Sequence, residues 1–136
     1  MLRGHRDLKV YQLAVRLATE IFEFSKTFPV EERYSLTSQV RRSSRSVAAN
    51  LAEGFRKRQY PSMFTSKLAD SDAVATETQV RLDFALACGY LAAEDHTRLS
   101  TGYEEVGKML GRMIAEPQRF ALRKTPASRQ KATEDA

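Results

Sequence analysis

Apolar residues recur along this chain at intervals of three and four, the period of a helix face rather than the alternation of a half-buried strand. Four segments carry the pattern. The first runs from about Leu8 to Thr27, with Asp7 placed to cap it. Its apolar positions include Leu8, Tyr11, Val15, Ala18, Ile21 and Phe22, with Ser25 as a small gap before Phe28. A second set, Val10, Leu13, Leu17 and Phe24, widens the stripe past what one core face needs. A helix apolar on more than one side is usually covered by more than its own bundle, so this segment points to self-association.

Phe28-Pro29 ends the first helix, because proline lacks an amide donor and biases its predecessor away from the helical region. After a short link the second helix is expected from a cap at Ser35 or Thr37 to Gly54 or a little beyond, with Leu36, Val40, Val47, Leu51 and Phe55 on its apolar face. The third opens at Tyr60-Pro61-Ser62, where proline suits a first turn, and stops at Gly89. Its centre, Asp70 to Thr78, is built of small and β-branched residues, which permits close approach of a neighbouring helix. The fourth is expected from Ala92 to Glu116, with Leu99, Tyr103, Val106, Leu110, Met113 and Ile114 inward and Pro117 as its stop. Short connections favour antiparallel neighbours, so the pattern predicts an all-α, up-down-up-down four-helix bundle over residues 1–116. Residues 117–136 are expected to form a basic tail, flexible from residue 121.

Composition adds limits. The chain has 136 residues, enough for one core and too few for two ordinary domains. Cys88 is the single cysteine, so no internal disulfide can form, and its aliphatic surroundings suggest a core or near-core position. No stretch approaches the roughly 20 apolar residues of a membrane span, and the N-terminus does not read as a secretory signal. A soluble cytoplasmic protein is the expectation. The net charge of +5 is unevenly placed: residues 1–116 carry +2 and residues 117–136 carry +3. Net charge alone is thus a weak argument for a polyanionic partner.

Catalytic chemistry is not visible. His5 and His96 lie far apart and neither falls in a zinc-ligand spacing; His96 sits in the inner register near the start of the fourth helix. Gly107 to Gly111 has small residues four apart, which suits helix contact rather than a phosphate loop. No nucleophile is paired with a base, so neither cofactor nor metal is expected and an enzyme is disfavoured.

Two features of the second helix stand out. Gln39, Arg42, Ser46, Asn50 and Glu53 form one polar stripe, broadened by Ser43 and flanked by Ala48, Ala49 and Ala52. Either the stripe packs on the small-residue centre of the third helix as a satisfied polar network, or it lines a groove or subunit contact. Arg41, Arg42 and Arg45, with Arg56, Lys57 and Arg58, form the densest cationic cluster outside the tail. Such charges meet phosphates, with aromatics such as Tyr60 able to stack on unpaired bases; the alternative is a solvated face offset by nearby acids.

The run Leu36-Thr37-Ser38-Gln39-Val40-Arg41-Arg42 and the following Ser46-Val47-Ala48-Ala49-Asn50-Leu51-Ala52-Glu53-Gly54 resemble the signature of the four-helix-bundle proteins related to 23S ribosomal RNA intervening sequences. Leu8 to Gln12, Phe28-Pro29 with Glu32 and Tyr34, Cys88 to Leu91 and Gly107 to Leu110 extend the likeness over about residues 7–116. Ala69-Asp70-Ser71-Asp72 and Ala75 depart from that family's usual Ala-x-Gly-Ser and Glu of the third helix, and Tyr11 stands where Trp is common. The resemblance implies an antiparallel bundle assembled as a homo-oligomer, a pentameric ring. Its distant relatives include accessory variability proteins of diversity-generating retroelements, which bind a reverse transcriptase and nucleic acid. The expectation is a non-catalytic RNA-binding or other nucleic-acid-binding protein using the six cations above with help from the tail. The alternative is a protein-interaction scaffold or an accessory subunit of a ribonucleoprotein or retroelement complex.

Overall fold

A computed structural model describes residues 2–121. Among these residues the chain forms four long helices and no strand: α1 (Lys9–Ser25), α2 (Ser38–Arg56), α3 (Pro61–Ala87) and α4 (Ala93–Ala115). Consecutive helices pack against each other and α4 closes back on α1, giving the four-helix bundle that the periodicity predicts.

The helix ends explain the small departures from expectation. Leu8, not Asp7, occupies the cap position of α1. The Asp7 carboxylate instead accepts the Arg3 backbone N–H at 2.8 Å, closing a single turn over His5–Asp7. That bond holds the Asp7 carboxyl below its ordinary value. Thr37 occupies the cap position of α2, as one of the two expected candidates, but its side chain makes no capping hydrogen bond. A turn over Arg33–Thr37, kinked at Ser35 (φ −122°, ψ −105°), leads into α2, and the Ser35 hydroxyl donates to the Glu32 carboxylate at 2.6 Å. At the far end of α3, Gly89 has φ of 77°, a left-handed conformation that only glycine adopts freely. The Tyr90 amide then donates to the Ala85 carbonyl at 2.8 Å and the Gly89 amide to that of Leu86 at 3.0 Å, satisfying two end carbonyls of α3.

One continuous core joins the helices. It takes Val10, Ala14, Leu17 and Ile21 from α1, Val40, Val47, Leu51 and Phe55 from α2, Phe64, Leu68 and Leu82 from α3, and Leu99 to Met113 from α4. Val15 and Phe22, read from sequence among the apolar positions of α1, lie outside it, and Tyr11 packs against its edge. Val15 is exposed and the two rings are half-buried, because the true core face is rotated toward Val10, Ala14 and Leu17. Cys88 is also a correction: it follows the last turn of α3 and is exposed. His96 is half-buried as expected, with Nε2 2.8 Å from Asp83 Oδ1, linking α4 to α3. Burial pushes the Tyr103 hydroxyl well above its ordinary range.

Beyond Pro117 a short helical turn over Pro117–Phe120 returns to the bundle, where Phe120 lies 6.2 Å from Phe64, ring centre to ring centre. Packing thus extends into the first residues of the segment read as a tail. The expected flexible part, residues 122–136, lies outside the described residues.

Helices α2 and α3 approach closely at Gly54. A Cβ there would stand 2.9 Å from Lys67 Cβ, an atom fixed to the backbone that cannot swing aside. Gly54→Leu is therefore expected to destabilise the protein by about 1–3 kcal/mol through overpacking. This holds although glycine itself costs a helix about 1 kcal/mol relative to a good former. Urea unfolding measures it, and a variant as stable as the parent would contradict the close approach.

Candidate nucleic-acid interface

The end of α1, the link after it and the first half of α2 enclose a groove of about 810 Å³. Lys26, Arg33, Arg41, Arg42 and Arg45 line it, and no carboxylate does. Phe28, Pro29, Val30 and Ala49 supply apolar wall, and Ser25, Ser38 and Ser46 supply hydroxyls. Helical spacing brings the three α2 arginines together: Arg41 and Arg45 are four apart, and Arg42 lies beside them. The link then folds Arg33 onto the same side.

Phe22 organises the cations. Its half-buried ring lies 4.7 Å from the Arg41 guanidinium carbon, 5.5 Å from that of Arg45 and 4.8 Å from Lys26 Nζ. Guanidinium groups settle on aromatic faces without being neutralised. Arg41 is fixed further, since its Nε donates to Ser25 Oγ at 2.7 Å. Lys26 pairs with Glu23 at 3.1 Å, but Arg33, Arg41, Arg42 and Arg45 have no carboxylate within salt-bridge distance among the described residues. Four guanidinium groups are thus held near one another with their charge uncompensated. Separating like charges would lower the energy, so the arrangement favours an anion that fills the space between them.

The six cations singled out in the sequence do not form one cluster. Arg56, Lys57 and Arg58 lie at the other end of α2, about 16 Å along the axis from Arg45 at 1.5 Å per residue. Arg58 turns inward, donating to the Phe55 carbonyl at 2.9 Å with its guanidinium 4.1 Å from the Phe55 ring. Arg56 remains exposed and Lys57 is half-buried. Lys26, Arg33 and Phe22 were missed. The two cations stand in separate elements, and a phenylalanine on an apolar stripe reads as core.

The polar stripe divides in the same way. Arg42 and Ser46 belong to the groove. Gln39 is exposed. Asn50 and Glu53 instead meet Lys67 of α3: its ammonium donates to Asn50 Oδ1 at 3.3 Å and lies 2.8 Å from Glu53 Oε2. The Lys67 hydrogen bond holds the Glu53 carboxyl below its ordinary value, and the same bond raises the Lys67 ammonium above its own. This is a surface link rather than the expected buried network. The buried network lies one position round the helix. Ser71 Oγ donates to the Val47 carbonyl at 2.7 Å and Thr78 Oγ1 to Ser43 Oγ at 2.9 Å, all between α2 and α3. The small residues at the centre of α3 were the signal for it.

Beside the basic groove, sharing Arg45 and Ala49, a second depression of about 410 Å³ runs between α1 and α2. Its walls are apolar or small: Tyr11, Val15, Phe22, Ala48, Ala49 and Ala52 among them. Here lie the α1 residues that the core does not use. Among the described residues no group of three or more His, Cys, Asp or Glu is placed to hold a metal ion. No helix among them is long and apolar enough to cross a membrane.

The family model described as 23S rRNA-intervening sequence protein matches residues 6–112. No curated protein matches the chain. Among solved structures, the chain is similar to a protein of unknown function from the S23 ribosomal protein family of Bacteroides thetaiotaomicron. The two share 25% identity and a TM-score of 0.69, over 77% of this chain and 97% of the other.

Proposed function

We propose that this chain, which belongs to the 23S rRNA-intervening sequence protein family, is a non-catalytic protein that binds RNA through the basic groove between α1 and α2. The observation that carries this reading is the set Arg33, Arg41, Arg42 and Arg45, gathered in one groove that no carboxylate lines. Arginine's flat fork matches phosphate oxygens two at a time, and release of condensed counterions drives the association. The family's name and that of its structural neighbour support an RNA-related role. Arg56 and Lys57 extend the positive surface along α2 as weaker contacts.

Fluorescence anisotropy of nuclease-treated protein with a labelled unpaired RNA tests the reading. Affinity is expected to fall steeply between 50 and 200 mM salt, roughly 50-fold for four phosphate contacts on a single strand. Affinity indifferent to salt, or no binding at 50 mM salt, would count against it.

A second reading concerns assembly. The apolar depression lined by Tyr11, Val15, Ala48 and Ala52 suits a second copy of the chain, in keeping with a homo-oligomer, and a pentameric ring is the form proposed. Val15→Glu, on the exposed rim, is expected to reduce the mass measured by light scattering to that of the monomer. An unchanged mass would place any self-association on another face.

A further inference from the structure

The kinked turn over Arg33–Thr37 contributes Arg33 and Thr37 to the wall of the basic groove. It carries Tyr34 into solvent at 86% exposure, the highest of any large apolar side chain among the described residues. Val30, at 79%, is the next highest and lines the groove itself. The Arg33 guanidinium, also in the groove wall, lies 6.0 Å from the Tyr34 ring centre. The kinked turn and the link before it therefore present an aromatic face, an aliphatic neighbour and a cation together, beside a groove lined by three further arginines. An exposed tyrosine here adds little to the fold.

Charge alone would serve a duplex as well as a single strand. The aromatic face would not, because a paired base within a helix offers no free face to stack on. Cations along a groove with an aromatic platform beside it are the features by which proteins hold unpaired nucleic acid. The groove also suits unpaired chain sterically. Arg41 is recessed, tied to Ser25 and resting on Phe22, where a slender sugar-phosphate strand can enter and a duplex can touch only the rim.

We propose that the groove is a single-stranded RNA site, with one unpaired base stacked on Tyr34 and the adjoining phosphates running inward along Arg33, Arg42 and Arg45. This rests on the RNA-binding reading above and narrows it. It also moves the stacking role from Tyr60, which stands beside the sparser cations at the other end of α2, to Tyr34.

The test compares an unpaired 12-nucleotide RNA with the same sequence as a duplex, by anisotropy at 100 mM salt, on the full chain and on Tyr34→Ala, Tyr34→Phe, Tyr60→Ala and Arg42→Gln/Arg45→Gln. The exposed position of Tyr34 leaves the fold intact in its variants, which circular dichroism verifies. The single strand is expected to bind about 10-fold tighter than the duplex. Tyr34→Ala is expected to lose about 10-fold on the single strand and nothing on the duplex, from the size of base–aromatic stacking. Tyr34→Phe should keep the parent affinity, and Tyr60→Ala should match the parent. Equal binding of both RNAs, or an unchanged Tyr34→Ala beside a weakened Arg42→Gln/Arg45→Gln, would overturn the single-strand site while leaving RNA binding in place. Binding of neither RNA would overturn both.

Discussion

Replacing Arg41, Arg42 and Arg45 together by glutamine is expected to weaken binding of unpaired RNA on the order of 100-fold at 0.1 M salt. Each phosphate contact on a single strand contributes about 0.7 to the slope of log affinity against log salt. Losing three should make the slope shallower by about 2, and at 0.1 M that corresponds to about fivefold per contact. Glutamine is polar and uncharged but shorter than arginine, so the change removes the charge together with part of the reach. The Arg41 bond to Ser25 and the contacts with Phe22 are also lost, so thermal unfolding should be followed in parallel. The matching triple at Arg56, Lys57 and Arg58 is the internal comparison. Arg58 is already engaged with the Phe55 carbonyl and ring, so this variant should lose much less affinity. Equal losses in the two triples would mean that the whole length of α2, rather than the groove, meets the ligand.

Phe64→Ala is expected to cost about 3–5 kcal/mol, the usual range for emptying a buried phenylalanine site. Domain stabilities total only about 5–15 kcal/mol, so this is a large share. Phe64 is fully buried in the first turns of α3, its carbonyl beside Gly54 of α2 and its ring 6.2 Å from that of Phe120 in the terminal turn. The core and the terminal turn would therefore lose packing at once, and the gap cannot close readily. Gly54 has no side chain to move in, and the α2–α3 spacing is fixed further along by the bonds from Ser71 and Thr78. The urea midpoint measures the cost, and a loss below 1 kcal/mol would contradict the packing described. Phe120→Ala should show a smaller loss, since that ring is only partly buried.

The helices were legible because their periodicity runs long and their stops are chemical: Phe28-Pro29, Gly89 and Pro117 each end or follow an element where expected. Rotation about the helix axis was less legible. On α1 nearly every side is apolar, so periodicity does not separate the exposed Val15 from the buried Leu17. On α2 the sequence reading took Ser43 only as broadening the polar stripe, although it and its neighbour Ser44 are the serines that are buried. The family signature in α2 was legible and the match over residues 6–112 bears it out. The groove was half legible. Arg41, Arg42 and Arg45 are neighbours on one helix and so visible in a line of sequence. Lys26, Arg33 and Phe22 join them only through the turn after Pro29, whose path no periodicity encodes.

The most direct test of RNA binding by the groove is amide-shift mapping by NMR as an unpaired RNA is titrated into the nuclease-treated full chain. The largest shifts are expected from Lys26 to Ser46, spanning the end of α1, the kinked turn and the first half of α2, with smaller ones at Arg56 and Lys57 and none along the middle of α4. Shifts confined to α3 and α4, or an unchanged spectrum at saturating RNA, would contradict it.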